Sequence, residues 1–336
     1  MQKSLDLKLK NIRENPSSSK DFILADAKDA DMAFGLVSPG KAAGEGERLR
    51  SLAEFRNQMR EIVRQGLVDI MLMSASSSEL LALQERLFDD SPVTPAVRAN
   101  DTTDIHVIRG GCYNRSPSRP FRTVTIEQIQ SGKVACTQAE RQRGPDLGLY
   151  SVTFNNELDS DHRTLEAYRE FRIEAEHKGM RHFLEVFDPV VPGAVEPEQL
   201  GNFINDHIAR LLAGVPQAGR PIFLKIAYHG PKAMEELVHY DPGLVPGILG
   251  GSSGTTHDAF KLLADAKKYG ARAALFGRKI NTAEHQLAFV RFLRALADGE
   301  MTPQEAVKAY HGELQKLGLR PQRPLEEDLR ITQPFL

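Results

Sequence analysis

The sequence predicts a single (β/α)₈ (TIM) barrel, and three observations carry that prediction. Eight short apolar runs recur along the chain, each ends in polar or glycine-rich residues and leads into a stretch with helical periodicity, and several are almost unbroken Ile, Leu, Val, Ala and Phe. Alternating β and α signals imply parallel βα units, and unbroken apolar runs are what parallel strands covered on both faces require. A length of 336 residues fits one barrel with insertions.

The strands are expected at 22–27 (FILADA), 69–75 (DIMLMSA), 94–100 (TPAVRAN), 147–154 (LGLYSVTF), 182–187 (HFLEVF), 222–228 (IFLKIAY), 246–251 (PGILGG) and 273–279 (AALFGRK). Amphipathic helices are expected between them. One covers 47–66, with Leu49, Leu52, Phe55, Met59, Ile62 and Val63 at helical spacing and Gly66 as its stop. Another covers 162–179, with Leu165, Tyr168, Phe171 and Ile173 marking the inner face and Gly179 as C-terminal cap. Segments 257–270 and 284–299 follow the same logic, and 301–318 opens on Thr302 as N-cap with Pro303 at the first helical position. The domain reading is an N-terminal extension at 1–20, a barrel at 21–319 and a tail at 320–336 that packs on the body or on a neighbouring subunit. Residues of about 101–146, between strands 3 and 4, exceed a normal βα unit and read as a long insertion. Arg109, Arg115, Arg119, Arg122, Arg141 and Arg143 make it either a lid that brings cations to an anionic substrate or a solvated excursion or oligomer contact.

Composition narrows the function. The chain is 41% hydrophobic with a formal net charge of −2, so it can bury a large core but has no basic excess to neutralise nucleic acid. Its N-terminus lacks the apolar core of a secretory signal and no later run is long enough to span a bilayer, so a cytoplasmic location with no membrane partner is expected. Cys112 and Cys136 have neither redox nor metal spacing and are expected as free thiols. His106, His162, His182, His229 and His257 are the rival route to a metal site, but none shows ligand spacing near a strand end, so neither metal nor cofactor is expected.

In a barrel of this kind the C-terminal ends of the strands converge on one mouth, so polar residues inside apolar strands are the site candidates. These are Asp26 and Lys28 after strand 1, Arg98 in strand 3, Glu185 in strand 5 and Lys225 in strand 6, with Tyr150 a weaker candidate. Asp29 and Asp31 read as turn- or helix-initiating residues. A lysine desolvated inside a strand is a candidate for a neutral amine that attacks a carbonyl to form an imine. The plainer alternatives are a structural ion pair with Glu185 or a phosphate ligand. Glu185, on the neighbouring strand, is placed to move protons. Gly250, Gly251 and Ser252 end strand 7 ahead of a helix, and Gly277 and Arg278 end strand 8. Glycine amides, a helix N-terminus and a guanidinium there form a phosphate cradle.

The strand ends also resemble class I (Schiff-base) aldolases of the deoxyribose-phosphate and tagatose-bisphosphate type, over residues of about 22 to 300. ILADAKD resembles the family's strand-1 aspartate motif, FLEVF its acidic strand 5, FLKIAYHG its lysine strand, and GGSSGTT and FGRKI its phosphate turns. The resemblance implies Lys225 as the imine-former, Glu185 and Asp26 as the acidic site residues that move protons, and Gly250, Gly251, Ser252, Gly277 and Arg278 as phosphate ligands; from the strand positions alone, Arg98 is a further substrate ligand and Lys28 either a phosphate ligand or the cation that lowers the pKa of Lys225. Ala27-Lys28 replaces the family's frequent Gln-Arg, and no acidic residue follows Lys225 closely, which leaves the substrate open. The expectation is therefore a homo-oligomeric lyase of carbohydrate metabolism that makes or breaks a C–C bond in a phosphorylated ketose. The rivals are a sugar-phosphate isomerase without imine chemistry and a non-catalytic sugar-phosphate binding protein.

Overall fold

A computed structural model describes residues 1–42, 48–105, 107–251 and 254–333. The eight strands are β1 (Ile23–Lys28), β2 (Ile70–Met73), β3 (Thr94–Arg98), β4 (Leu147–Thr153), β5 (Arg181–Phe187), β6 (Leu224–Ile226), β7 (Gly247–Leu249) and β8 (Ala273–Phe276). They pair in parallel in sequence order, and β8 returns to β1 to close the barrel. All eight expected runs coincide with these strands.

Two cores follow from the two faces of the strands. Inside the barrel, Ile23, Ala25, Ile70, Leu72, Ala96, Leu147, Leu149, Phe183, Phe223, Ala273 and Leu275 pack together. Outside it, Leu24, Met71, Val97, Tyr150, Leu184, Leu224, Ile248 and Phe276 pack against the helices. Successive strand side chains point to opposite faces, so position parity on each strand decides which charges reach the mouth.

The expected N-terminal extension holds a helix, Ser4–Glu14. Leu5, Leu9 and Ile12, spaced to share one helical face, join the interior core, so this helix covers the barrel end opposite the strands' C-terminal mouth. The helix expected at 47–66 spans Leu52–Gln65, because Ser51 and Glu54 form a reciprocal capping box and Gly66 takes the left-handed conformation. The helix expected at 162–179 starts earlier, at Leu158, where the Glu157 carboxylate accepts from the amides of Asp159 and Ser160. Its inner face is Thr164, Tyr168, Phe171 and Ala175; Ile173, expected there, is exposed. The later helices span Thr256–Lys268, Gln286–Asp298 and Pro303–Lys316, the last capped by Thr302 as expected.

Between β3 and β4 lie a two-residue antiparallel ladder, Asp101–Thr102 with Pro120–Phe121, and two short helices, Ile126–Ser131 and Gln138–Arg141. Asp104 pins the segment, accepting from Ser118 Oγ at 2.5 Å and from Thr153 Oγ1 of β4 at 2.8 Å. The tail packs on the body. Asp328 accepts from the Thr256 amide at 2.7 Å and contacts His311 Nε2 at 2.9 Å, while Thr332 binds Asp258. Among the described residues no helix is long and apolar enough to cross a membrane.

Candidate active site

Lys225 stands at the centre of a charged cluster inside the mouth. Strand pairing sets Ser151 of β4 beside Glu185 of β5, and Glu185 beside Lys225 of β6, so the three side chains share one inward-facing row. Lys225 Nζ lies 2.5 Å from Glu185 Oε1. The other carboxylate oxygen, Oε2, accepts from Ser151 Oγ at 2.7 Å and from Arg98 Nη2 at 3.3 Å. Arg98 also donates to Ser151 Oγ at 3.0 Å and to Asp29 Oδ2 at 2.5 Å, and its Nη1 lies 3.7 Å from Asp101 Oδ1. The Asn100 side-chain amide bonds both the N–H and the C=O of Ser151, which holds that residue in place.

The cluster is almost dry, with the Lys225 side chain 7% exposed and that of Glu185 2%. In such a medium charge pairing dominates. Burial alone would raise the Asp29 carboxyl, but Arg98 and Lys225 outweigh it and hold it below the ordinary carboxylate range. Burial likewise opposes the Arg98 charge, and Asp29, Glu185 and Asp101 more than restore it.

Asp29, Arg98, Glu185 and Lys225 line a cleft with Ala30, Phe34, Ile105, Phe187, Gly250, Gly251, Gly277 and Arg278. Lys225, Glu185, Arg98 and the two glycine turns are thus gathered as the sequence predicts. Gly250 and Gly277 are steric requirements. A Cβ at Gly250 would sit 2.1 Å from the Phe276 ring, and one at Gly277 would sit 2.5 Å from the Ala27 carbonyl oxygen. The Gly250 amide is committed to Leu275 O within the sheet. The N-terminus of the helix after β7, expected to face an anion, is occupied from within by Asp328 and Asp258. Arg278 has no carboxylate partner among the described residues and stacks over Phe34 at 5.3 Å. Ser252 and His106 lie outside the described residues.

Asp26 and Lys28 depart from the expectation. Ile23, Ala25 and Ala27 face inward, so Asp26 and Lys28 face the helices. There they form a sealed ion pair at 3.1 Å, with Lys28 over the Phe55 ring at 6.0 Å. Burial raises the Asp26 carboxyl and Lys28 offsets this only in part. Asp29, read from sequence as a turn former, occupies the mouth position assigned to Asp26. Ser151 and Asn100 were also missed; the register of β4 against Glu185 is the only signal that singles them out. Tyr150 faces outward and stacks on Phe171.

Of the two readings of the arginine-rich segment, a cationic lid or a solvated excursion or oligomer contact, the lid is not seen: none of the six arginines lines the cleft. Arg109, Arg115, Arg119 and Arg143 are exposed, and Arg122 pairs with Glu174 at 2.5 Å. Their segment contributes Ile105 instead. The histidines are dispersed: His182 bonds Tyr168 Oη, His229 bonds Asp188 and His257 bonds Leu329 O. Among the described residues no group of three or more His, Cys, Asp or Glu is arranged to hold a metal ion.

No family profile matches the sequence, and no curated protein matches it. Solved structures do match in fold. The fructose-bisphosphate aldolase from Slackia heliotrinireducens superposes with a TM-score of 0.64 at 14% identity, over 92% of this chain and 91% of that one. A Schiff base-forming fructose-1,6-bisphosphate aldolase gives 0.61 at 14% identity, over 86% and 99%. An archaeal fructose-1,6-bisphosphate aldolase, with its catalytic lysine covalently bound to the carbinolamine intermediate, gives 0.61 at 14% identity, over 87% and 100%. These three neighbours are fructose-bisphosphate aldolases, whereas the sequence motifs resemble the deoxyribose-phosphate and tagatose-bisphosphate type. At these identities the likeness is one of fold.

Proposed function

We propose that the protein is a class I aldolase, cleaving or forming a C–C bond in a phosphorylated ketose through an imine on Lys225. The observation that carries this reading is the 2.5 Å contact between Lys225 Nζ and Glu185 Oε1 on the wall of a cleft that a small molecule can enter. Schiff-base aldolases among the structural neighbours support it.

Proton transfer from Lys225 to Glu185 leaves a neutral amine beside a neutral acid, and the amine attacks the substrate carbonyl to give a carbinolamine. Glu185 then returns its proton to the departing hydroxyl, which leaves as water, and a protonated imine remains. That cation accepts the electron pair of the adjacent C–C bond as it breaks, while a base removes the proton of the neighbouring hydroxyl. Asp29, kept ionised by Arg98, is the carboxylate placed for that step. Ser151 and Arg98 hold Glu185 Oε2, so Oε1 stays aimed at the lysine. Gly251, Gly277 and Arg278 are assigned to the substrate phosphate.

The test is reduction with borohydride in the presence of ketose and aldehyde phosphates, followed by mass spectrometry. A covalent adduct on the peptide containing Lys225 is expected, with a mass equal to the retained carbonyl fragment less water plus two hydrogens. Protein that stays unmodified under turnover conditions rules the imine out.

A further inference from the structure

We infer that the cleft selects substrates bearing a single phosphate and disfavours bisphosphates, with Ile105 walling off the place a second phosphate would need. The inference rests on the reading of the cleft as a sugar-phosphate site, but not on imine chemistry.

The argument is one of charge and position. Three cations line the cleft among the described residues: Arg98, Lys225 and Arg278. Arg98 is committed to Asp29 and Glu185, and Lys225 to Glu185. Arg278 alone has no carboxylate partner, and it stands at the end of β8 beside the glycine turn of β7. Among the described residues the cleft therefore has one cation free of a carboxylate, at its β7–β8 end.

In a closed eight-stranded barrel β3 lies diametrically across from β7. A phosphorylated chain gripped at β7 and β8 and passing over Lys225 of β6 points its far end toward the loops after β3 to β5. That wall is Ile105, from the segment after β3, and Phe187, at the end of β5. Asp101 and Asp104 of the same segment are both buried, and none of its arginines is among the residues that line the cleft. A second phosphate against this wall would lose its hydration without gaining a cation. Ile105 is held in position because Asp104 ties its segment to Ser118 and Thr153. An uncharged or apolar end fits the wall instead.

Hexitol phosphates test this without interference from catalysis, because they carry no carbonyl to react with Lys225. Calorimetry with the full-length protein is expected to show hexitol monophosphates binding about tenfold or more tightly than the hexitol bisphosphate. Ile105→Arg is expected to reduce or invert that ratio by about tenfold, read as a gain in bisphosphate affinity relative to monophosphate, and Phe187→Lys supplies a second route to the same gain. Arg278→Met should weaken every phosphate probe. Equal or tighter binding of the bisphosphate by the natural protein, or a bisphosphate affinity unmoved in both folded wall variants, overturns the inference. Selective monophosphate binding in a protein that never yields a borohydride adduct would leave this inference standing and remove the imine.

Discussion

Two buried groups of charges begin within three residues of each other, at Asp26 of β1 and at Asp29 just after it, and they behave oppositely. Asp26 and Lys28 face the helices, make an ion pair with each other and are not among the residues that line the cleft. Asp29 faces the mouth and joins Arg98, Glu185 and Lys225 around a cleft. Both groups are buried, so burial of charge does not by itself mark a functional site. What separates them is access: one pair is sealed under Phe55, while the other cluster forms the wall of a space that a small molecule can enter.

The largest expected break in this comparison is Lys225→Met, which should abolish borohydride trapping and turnover together while the far-ultraviolet circular dichroism remains native. Glu185→Gln comes next, since loss of a proton-transfer group lowers kcat by about 10²–10⁴-fold; a change in KM alone would reduce Glu185 to a structural partner of the lysine. Asp29→Asn should fall within the same range, whereas Asp26→Leu combined with Lys28→Met should leave kcat/KM unchanged. Breaking only one side of the sealed pair, as in Asp26→Leu, leaves Lys28 buried without a partner and should lower unfolding free energy by about 3–5 kcal/mol; the double variant should recover most of that loss. Denaturant titrations of the single and double variants measure it. A double variant that loses turnover while folded would return Asp26 to the site and overturn the division drawn here.

The smallest effect lies away from both groups. Burial holds the His182 imidazole down to about 3 from its ordinary 6.5, with Arg172 adding to the shift. Between those values the unfolded chain binds a proton that the native fold refuses, so stability should decline as pH falls from 6.5 toward 3. His182→Gln should flatten that part of a pH–stability curve and leave turnover near neutral pH as it was. An unchanged slope in the variant would show that acid sensitivity arises elsewhere.

Much of the molecule was legible in the amino-acid order. The eight strands, the capping of the helix after Thr302 and the adjacency of Glu185 and Lys225 follow from local patterns: apolar runs, a threonine before a proline, and neighbouring strands in a parallel sheet. The site on β1 was misread by one step of parity. In a strand buried on both faces, the alternation in ILADAK sets Asp26 and Lys28 on one face but does not say whether that face looks inward. The segment between β3 and β4 shows the same limit, since its many arginines left a cationic lid and a solvated excursion equally open and only its folded path brings Ile105, not a guanidinium, to the cleft.

By itself, then, the sequence determined the barrel and the kinds of chemical group available to it, because hydrophobic periodicity and chain punctuation act over a few residues. Tertiary structure alone decided which charges face the cleft, that Asp328 of the tail occupies a helix end near the glycine turns, and that the far wall is apolar. Those outcomes depend on the twist, closure and register of the whole barrel, which juxtapose residues more than a hundred positions apart and leave no mark in any one local stretch.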